Sequence, residues 1–164
     1  MKSVLILYDT QFGNTRKLAL EIVKGIQENE NITCKVVNGN GLDTEDLAKY
    51  DAVLFGGPTR AFRATRGALT SIKRAAQIGL DGKVVTTFGT YLLGKQSRGV
   101  RGMDKQLRKA APRAVLISPG FSARVDGVRG PITETEIPKA HEFGRRLGQE
   151  ILQHTSQAVE VHSV

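Results

Sequence analysis

The chain has 164 residues, which predicts one domain, and its 40% hydrophobic content is typical of a globular core. The single cysteine excludes a disulfide-stabilised secreted scaffold, and no apolar run approaches the roughly 18 residues that cross a membrane, so we expect a cytoplasmic protein without a membrane span. The net charge of +8 would suit an anionic partner, but no nucleic-acid-binding signature accompanies it.

Short apolar runs alternate with amphipathic segments along the chain. Runs rich in Val, Ile, Leu and Phe predict strands that are buried on both faces, at residues 3–8, 33–38, 52–56, 84–88 and 114–118. Apolar stripes at helical spacing predict helices at residues 14–28, 68–76, 103–110 and 143–152, with a brief helix at 43–49.

Five strands that alternate with five helices predict an α/β fold, in which right-handed crossovers build a parallel sheet with helices on both faces. We expect one domain over residues 1–154 and a frayed tail over 155–164. The segment from Phe121 to Ile137 is predicted to be a long loop of functional interest. Ligands of such sheets bind beyond the carboxyl ends of the strands, where the strand order reverses.

The loop after the first predicted strand has the composition of an anion site. Thr10, Asn14 and Thr15 supply side-chain donors, and Gly13 allows the backbone to turn its N–H groups toward one point. The helix that follows adds unpaired N–H groups and a partial positive charge, which together favour a phosphate. The alternative is that Asn14 or Thr15 simply caps the helix.

A second glycine motif competes for the phosphate. The segment from Gly89 to Lys95 has the Gly-x4-Gly-Lys spacing of a P-loop. However, Gln96 stands where such a loop needs a Ser or Thr for Mg²⁺, and the motif follows the fourth strand instead of the first. An NTPase is therefore disfavoured.

Three segments, in chain order, resemble the flavodoxin family. Thr10-Gln11-Phe12-Gly13-Asn14-Thr15 resembles the family's FMN-phosphate loop, with Phe12 as a departure from the pattern. Residues 50–59 resemble its third strand and the following flavin-contacting loop, and Thr87-Phe88-Gly89-Thr90 resembles the fourth strand with its loop. The resemblance implies a flavodoxin-like fold with sheet order 2-1-3-4-5 and FMN at the point where the order reverses.

The resemblance also implies roles for individual residues. Thr10, Gln11, Phe12, Gly13, Asn14 and Thr15 would hold the phosphate, Pro58, Thr59 and Arg60 would border the isoalloxazine ring on one side, and Gly89, Thr90 and Tyr91 would border it on the other. Phe62 and Tyr91 are the aromatic candidates for stacking on the ring. No residue set suggests catalysis or metal binding by the protein itself, so the chemistry is expected to belong to the cofactor.

The implied function is an electron carrier that moves one or two electrons between redox partners. The alternative is an NAD(P)H- or quinone-linked oxidoreductase, because the loop from Gly57 to Phe62 resembles that of flavodoxin-like NAD(P)H:quinone oxidoreductases. A third hypothesis, an interaction domain with a decayed flavin loop, is disfavoured by the intact Gly13-Asn14-Thr15.

The positive charge is concentrated near the predicted ring loops. Residues 1–59 carry a net charge of −2, whereas residues 60–113 carry +11. Arginines beside the ring would favour the anionic, fully reduced flavin and make the second reduction potential less negative than that of an acidic flavodoxin. The same charges could dock an acidic redox partner or, through Arg98 and Arg101, hold the phosphates of NAD(P)H; the alternative is a solvated basic face.

Overall fold

The computed structural model describes residues 1–94 and 98–163, with side chains up to residue 154. Seven strands are present in this part of the chain: β1 (Lys2–Tyr8), β2 (Ile32–Asn38), β3 (Ala52–Arg60), β4 (Arg63–Ala64), β5 (Val84–Tyr91), β6 (Val115–Leu116) and β7 (Phe121–Arg124). Four α-helices accompany them: α1 (Asn14–Ile26), α2 (Arg66–Ile78), α3 (Arg98–Ala110) and α4 (Glu136–Ser163).

The sheet confirms the predicted fold class and strand order. Its main path is β2-β1-β3-β5-β6 with every neighbour parallel, which corresponds to order 2-1-3-4-5 for the five strands that the sequence predicted. The count of five strands was wrong. The additional β4 pairs antiparallel with β3, and β7 pairs parallel with the segment of β5 that runs beyond its predicted end at Phe88.

The region after α3 differs from the predicted strand and loop. The strand expected at 114–118 is reduced to β6, and the loop expected from Phe121 to Ile137 begins with β7 and ends inside α4. Pro119 interrupts the ladder because it has no N–H to donate. At Gly120, a Cβ would lie only 2.1 Å from Thr87 Oγ1, so the backbone passes close to β5 before pairing resumes at Phe121.

The predicted brief helix at 43–49 is also wrong as a single element. Two 3₁₀ helices occupy this region, Gly39–Thr44 and Leu47–Lys49. The side chain of Asp46 accepts a hydrogen bond from the Ala48 N–H at 3.1 Å and starts the second of them. Such local side-chain bonds compete with a continuous helix, which explains the break.

Two helical layers cover the sheet and define two cores. Along β1, Val4 and Ile6 face α1 and α4, whereas Leu5 and Leu7 face α2 and α3, and all four are buried. This alternation is why the strands are apolar throughout. Within the described residues, no helix is both long and apolar enough to cross a membrane.

Glycines allow α1 and α4 to approach closely. A Cβ on Gly144 would lie 2.1 Å from the Ile22 carbonyl oxygen, and a Cβ on Gly25 would lie 2.0 Å from that of His141. These contacts pack the C-terminal half of α1 against α4, while α1 begins at the carboxyl edge of the sheet. The predicted tail at 155–164 lies outside the residues whose side chains are described, so it stays a prediction.

Candidate functional site at the carboxyl edge of the sheet

A cavity of about 170 Å³ opens where β1, β3 and β5 end. These strands lie side by side. The strand order reverses at β1, because β2 lies on one side of it and β3 on the other, so the cavity occupies the position expected for a ligand. Its lining comes from four separate segments of the chain: Thr10, Gln11, Phe12, Asn14, Thr15, Pro58, Thr59, Arg60, Thr90, Tyr91, Leu92, Val125 and Val128.

The 10–15 loop wraps the start of α1. Gly13 is the N-cap residue, with a φ of 87°, and its N–H donates to Thr10 Oγ1 at 3.0 Å. No side chain in the described part of the chain caps this helix, although Asn14 and Thr15 form its first turn. The alternative in which Asn14 or Thr15 serves as the cap is therefore wrong, and the N–H groups of the first turn remain available to an anion.

Thr15 carries an unusual buried hydroxyl group. The residue is 1% exposed, and its Oγ1 has no hydrogen-bond partner among the described residues. An unsatisfied buried hydroxyl is costly, and nearly all such groups in native proteins have partners. Thr15 lines the cavity, so a phosphate oxygen there would supply the missing partner, and this part of the site fits a phosphate group.

Asn14 is held beside Thr15 by a distant segment. It is 7% exposed, and a Cβ on Gly130 would lie 2.4 Å from its Oδ1. Gly130 itself has a φ of 91°, in the left-handed region that favours glycine. The segment that contributes Val125 and Val128 to the cavity thus also positions an amide side chain of the 10–15 loop.

Extended strands form the opposite wall. β3 continues to Arg60 and β5 to Tyr91, so Pro58, Thr59, Thr90 and Tyr91 belong to strands instead of the predicted loops. Partial burial and, next, the nearby Glu136 carboxylate raise the pKa of Tyr91 above its usual range. The phenol therefore keeps its proton at neutral pH and can donate a hydrogen bond.

The turn between β3 and β4 is strained and strongly basic. Arg60 and Arg63 lie directly opposite each other in this short antiparallel pair, which we call the arginine hairpin (residues 59–64). The turn residues Ala61 and Phe62 have φ values of 47° and 61°, a conformation that costs a non-glycine residue free energy. The Phe62 ring is 50% exposed, with the Arg98 guanidinium 5.5 Å from its centroid.

A second cavity, of about 570 Å³, adjoins the first. It shares Thr10, Gln11, Pro58 and Arg60 with the first cavity and adds side chains from the arginine hairpin and the start of α2. Its complete lining is Asp9, Thr10, Gln11, Pro58, Arg60, Arg63, Ala64, Thr65 and Arg66. Nothing in the sequence pattern separated this cavity from the first one.

A buried carboxylate supports β5 beneath the site. Asp104, which is 2% exposed, accepts hydrogen bonds from Thr87 Oγ1 at 2.7 Å and from the Gly120 N–H at 3.3 Å. Burial raises the pKa of this carboxyl, although both hydrogen bonds and the charge of Arg108 act in the opposite direction. Asp104 connects α3, β5 and the approach to β7, so we assign it to the framework of the site.

The structure brings together most of the residues that the sequence pointed to. Ten of the thirteen predicted site residues line the first cavity, and the exceptions are Gly13, Phe62 and Gly89. Gly13 shapes the helix start, whereas Gly89 pairs with Gly57 inside the sheet. Sequence reasoning missed Leu92, Val125 and Val128, although the length of the segment after Phe121 had marked that region as functional.

The competing features of the sequence find less support. Gly89 to Tyr91, the start of the P-loop spacing, lies in β5, and Lys95 and Gln96 lie outside the described residues. Burial raises the pKa of the Cys34 thiol to about 11, so this cysteine is a poor nucleophile. No group of three or more His, Cys, Asp or Glu side chains that could hold a metal ion occurs in the described part of the chain.

A family model described as a flavodoxin domain matches residues 5–126, about three quarters of the chain. A flavodoxin from Clostridium saccharobutylicum is 28% identical over 87 residues, which are 53% of this chain and 54% of that protein. The chain thus aligns with about half of the length of this curated relative.

Solved structures share the fold. The flavodiiron protein from Giardia intestinalis superposes with a TM-score of 0.76 at 19% identity, over 96% of this chain and 38% of that one. The two-electron reduced flavodoxin from Megasphaera elsdenii gives a TM-score of 0.70 at 20% identity, over 89% of this chain and 98% of that one. The match to the second structure shows that the whole of a flavodoxin fold is contained in this chain.

Proposed function

Because the chain belongs to the flavodoxin family, we propose that it binds FMN at the first cavity and carries one or two electrons between redox partners in the cytoplasm. The observation that carries this proposal is the unpartnered, buried Thr15 Oγ1 in the first turn of α1, beside N–H groups that no side chain of the described residues caps. This arrangement suits a dianionic phosphate.

Different residues of the cavity would contact the phosphate and the isoalloxazine ring of FMN. Thr10, Asn14 and Thr15, with the backbone N–H groups at the start of α1, would hold the phosphate. Pro58 to Arg60 and Thr90 to Leu92 would border the isoalloxazine ring, and Tyr91 is the aromatic side chain on this wall. When bound, FMN supplies the redox chemistry, whereas the protein supplies position and electrostatics.

The neighbouring charges favour an anionic partner. Arg60 lines the cavity, Arg63 lies opposite Arg60 in the arginine hairpin, and the Arg129 guanidinium is 5.8 Å from the ring centroid of Phe12, which also lines the cavity. The Arg98 guanidinium lies against the Phe62 ring at the turn of the same hairpin. A basic rim would accelerate encounter with an acidic redox protein, and the rate would fall as ionic strength rises. Phe12 is 42% exposed and offers an apolar contact within this rim.

An NAD(P)H- or quinone-linked oxidoreductase is the second candidate, favoured by the arginine-lined cavity next to the flavin site. Stopped-flow mixing of the FMN-loaded protein with NADPH separates the two. Direct reduction at a catalytically useful rate supports the oxidoreductase, whereas an unreactive protein that exchanges electrons with an acidic carrier supports the electron carrier.

FMN binding itself is tested by titrating the protein with FMN and recording flavin absorption and fluorescence. We expect tight binding by the natural sequence and a loss of at least about tenfold in the Asn14→Ala/Thr15→Ala variant, which removes two phosphate contacts. The matched control is Asn38→Ala/Thr44→Ala, which changes the same residue types in the 3₁₀ region outside the cavity. A protein that binds no FMN, or an Asn14/Thr15 variant that equals the control, contradicts the proposal.

A further inference from the structure

The second cavity has the properties of an anion site that is separate from the FMN-phosphate site. We name it the arginine cavity because Arg60, Arg63 and Arg66 line it. We infer that the arginine cavity binds the phosphate or pyrophosphate group of a small molecule. The inference rests on the proposed function in one respect, since that molecule is expected to exchange electrons with the neighbouring FMN.

The balance of charge in the cavity is the first argument. Three arginines and a single acidic residue, Asp9, line the cavity. That carboxylate is already engaged, because Thr65 Oγ1 donates to Asp9 Oδ2 at 2.5 Å and the backbone of Gly67 packs against the same group. The cavity therefore keeps an excess of positive charge that its own lining does not neutralise.

The arginines also lack partners of their own. Within the described residues, the guanidinium groups of Arg60, Arg63 and Arg66 form neither a hydrogen bond nor an ion pair, whereas those of Arg74 and Arg145 each pair with a carboxylate. Guanidinium groups present a planar fork of donors that matches phosphate oxygens, so three unpaired forks around one cavity suit an oxyanion with several oxygens.

The local backbone brings the charges together against their repulsion. The β3–β4 register places Arg60 opposite Arg63, an arrangement of like charges that is unfavourable without a counter-ion. Arg66 begins α2, where the partial positive charge of the helix end disfavours a cation. A bound dianion would offset both penalties at once.

The position of the cavity indicates what kind of molecule would bind. It shares Thr10, Gln11, Pro58 and Arg60 with the proposed FMN site, so an anion held there lies beside the flavin without competing for Thr15. A phosphate ester anchored in the arginine cavity could place its remaining part against the ring edge. An inorganic anion alone would gain nothing from this proximity.

The test measures binding of inorganic pyrophosphate by isothermal titration calorimetry at low ionic strength, where surface charges are little screened. One series uses protein saturated with FMN, which occupies the 10–15 loop, and a second uses the Asn14→Ala/Thr15→Ala variant without FMN, in which pyrophosphate binding at that loop is weakened. If FMN fails to bind at all, the proposed function falls, and the second series alone still decides about the arginine cavity.

We expect one pyrophosphate site, with Kd raised at least about tenfold by Arg63→Gln/Arg66→Gln. The control, Lys109→Gln/Arg113→Gln, removes the same charge in the last turn of α3 and in the turn that follows it, and should leave Kd nearly unchanged. Both pairs are exposed, and thermal unfolding verifies that each variant is folded. The inference is overturned by absence of pyrophosphate binding or by an equal effect of the two variants.

Two further probes identify the source of the anion. ADP-ribose carries a pyrophosphate ester but no redox group, and hexaglutamate imitates an acidic protein surface. We expect ADP-ribose to displace pyrophosphate from the FMN-saturated protein and hexaglutamate to leave it bound. If hexaglutamate displaces pyrophosphate and ADP-ribose does not, the cavity is a docking surface for an acidic protein, and the inference is overturned.

Discussion

The two walls of the first cavity, which we propose as the flavin site, are built on opposite principles. The 10–15 loop buries the polar side chains of Asn14 and Thr15, and the Thr15 hydroxyl has no partner among the described residues. The arginine hairpin exposes its charges and its Phe62 ring on a strained turn. We expect the buried donors to set how tightly a ligand is held, and the exposed charges to set the flavin potential and the rate of encounter with partners.

Thr15→Val should lower FMN affinity strongly without lowering the free energy of unfolding, the largest effect that we predict. Because the hydroxyl is buried without a partner, its removal should leave the free energy of unfolding of the FMN-free protein unchanged or raise it. FMN affinity should fall by about 10- to 100-fold, since a hydrogen bond to a charged phosphate is worth roughly 1.5–3 kcal/mol. Urea unfolding and FMN titration measure the two quantities.

Removing a hydroxyl from the opposite wall should weaken FMN binding less than removing the Thr15 hydroxyl. Thr59→Val removes a hydroxyl from the arginine hairpin side of the same cavity and serves as the control for Thr15→Val. Equal losses of FMN affinity in the two variants would break the proposed division between the walls.

Gly130→Ala should disturb the 10–15 loop from a distance. A Cβ there would lie 2.4 Å from Asn14 Oδ1, and the φ of 91° is unfavourable for alanine. We expect a loss of about 1–2 kcal/mol in the free energy of unfolding, together with weaker FMN binding because Asn14 must move. The control is Gly127→Ala, whose Cβ would lie an ordinary 3.5 Å from the Gly130 carbonyl oxygen. Similar urea midpoints for the two variants would refute the coupling.

Arg60→Gln tests the other wall through the flavin potential. If Arg60 stabilises the anionic, fully reduced flavin by about 1 kcal/mol, its loss should make the second reduction potential more negative by roughly 40 mV. Redox titration of the FMN-loaded variant measures this shift, with Arg113→Gln as a control that removes an equal charge outside the cavity. A potential that stays unchanged, or an equal shift in both variants, would contradict a local effect of Arg60 on the flavin.

The sequence predicted the sheet because its strands are locally determined. Continuous apolar runs such as Val4 to Leu7 are typical of strands buried on both faces of a parallel sheet, and the turn at Gly13 leads directly into an amphipathic helix. The short strands β4 and β7 could not be predicted, since β4 depends on a left-handed turn at Ala61 and Phe62 without glycine. The register of β7 depends on how far β5 extends.

The site residues also fall into a predictable and an unpredictable group. Residues contiguous in sequence, from Thr10 to Thr15, were found as one motif, whereas Val125 and Val128 reach the cavity only through tertiary folding. Phe62 was predicted to stack on the flavin, a role that stays a prediction. In the structure its ring lies outside the lining of the first cavity, against Arg98 and close to Gly94. Sequence proximity to Pro58 could not anticipate this orientation.

Arg63→Thr should give the smallest effect, and a favourable one. Removing one of two opposed arginines relieves like-charge repulsion, and threonine suits a strand, so the free energy of unfolding should rise by about 0.2–1 kcal/mol at low salt. The gain should shrink as salt screens the pair, because the Debye length falls to about 8 Å at physiological ionic strength. A double-mutant cycle with Arg60→Thr isolates the repulsion from the change in strand propensity. A cycle without coupling would mean that the two guanidinium groups diverge into solvent and do not repel each other, so that the strained turn alone would distinguish the arginine hairpin.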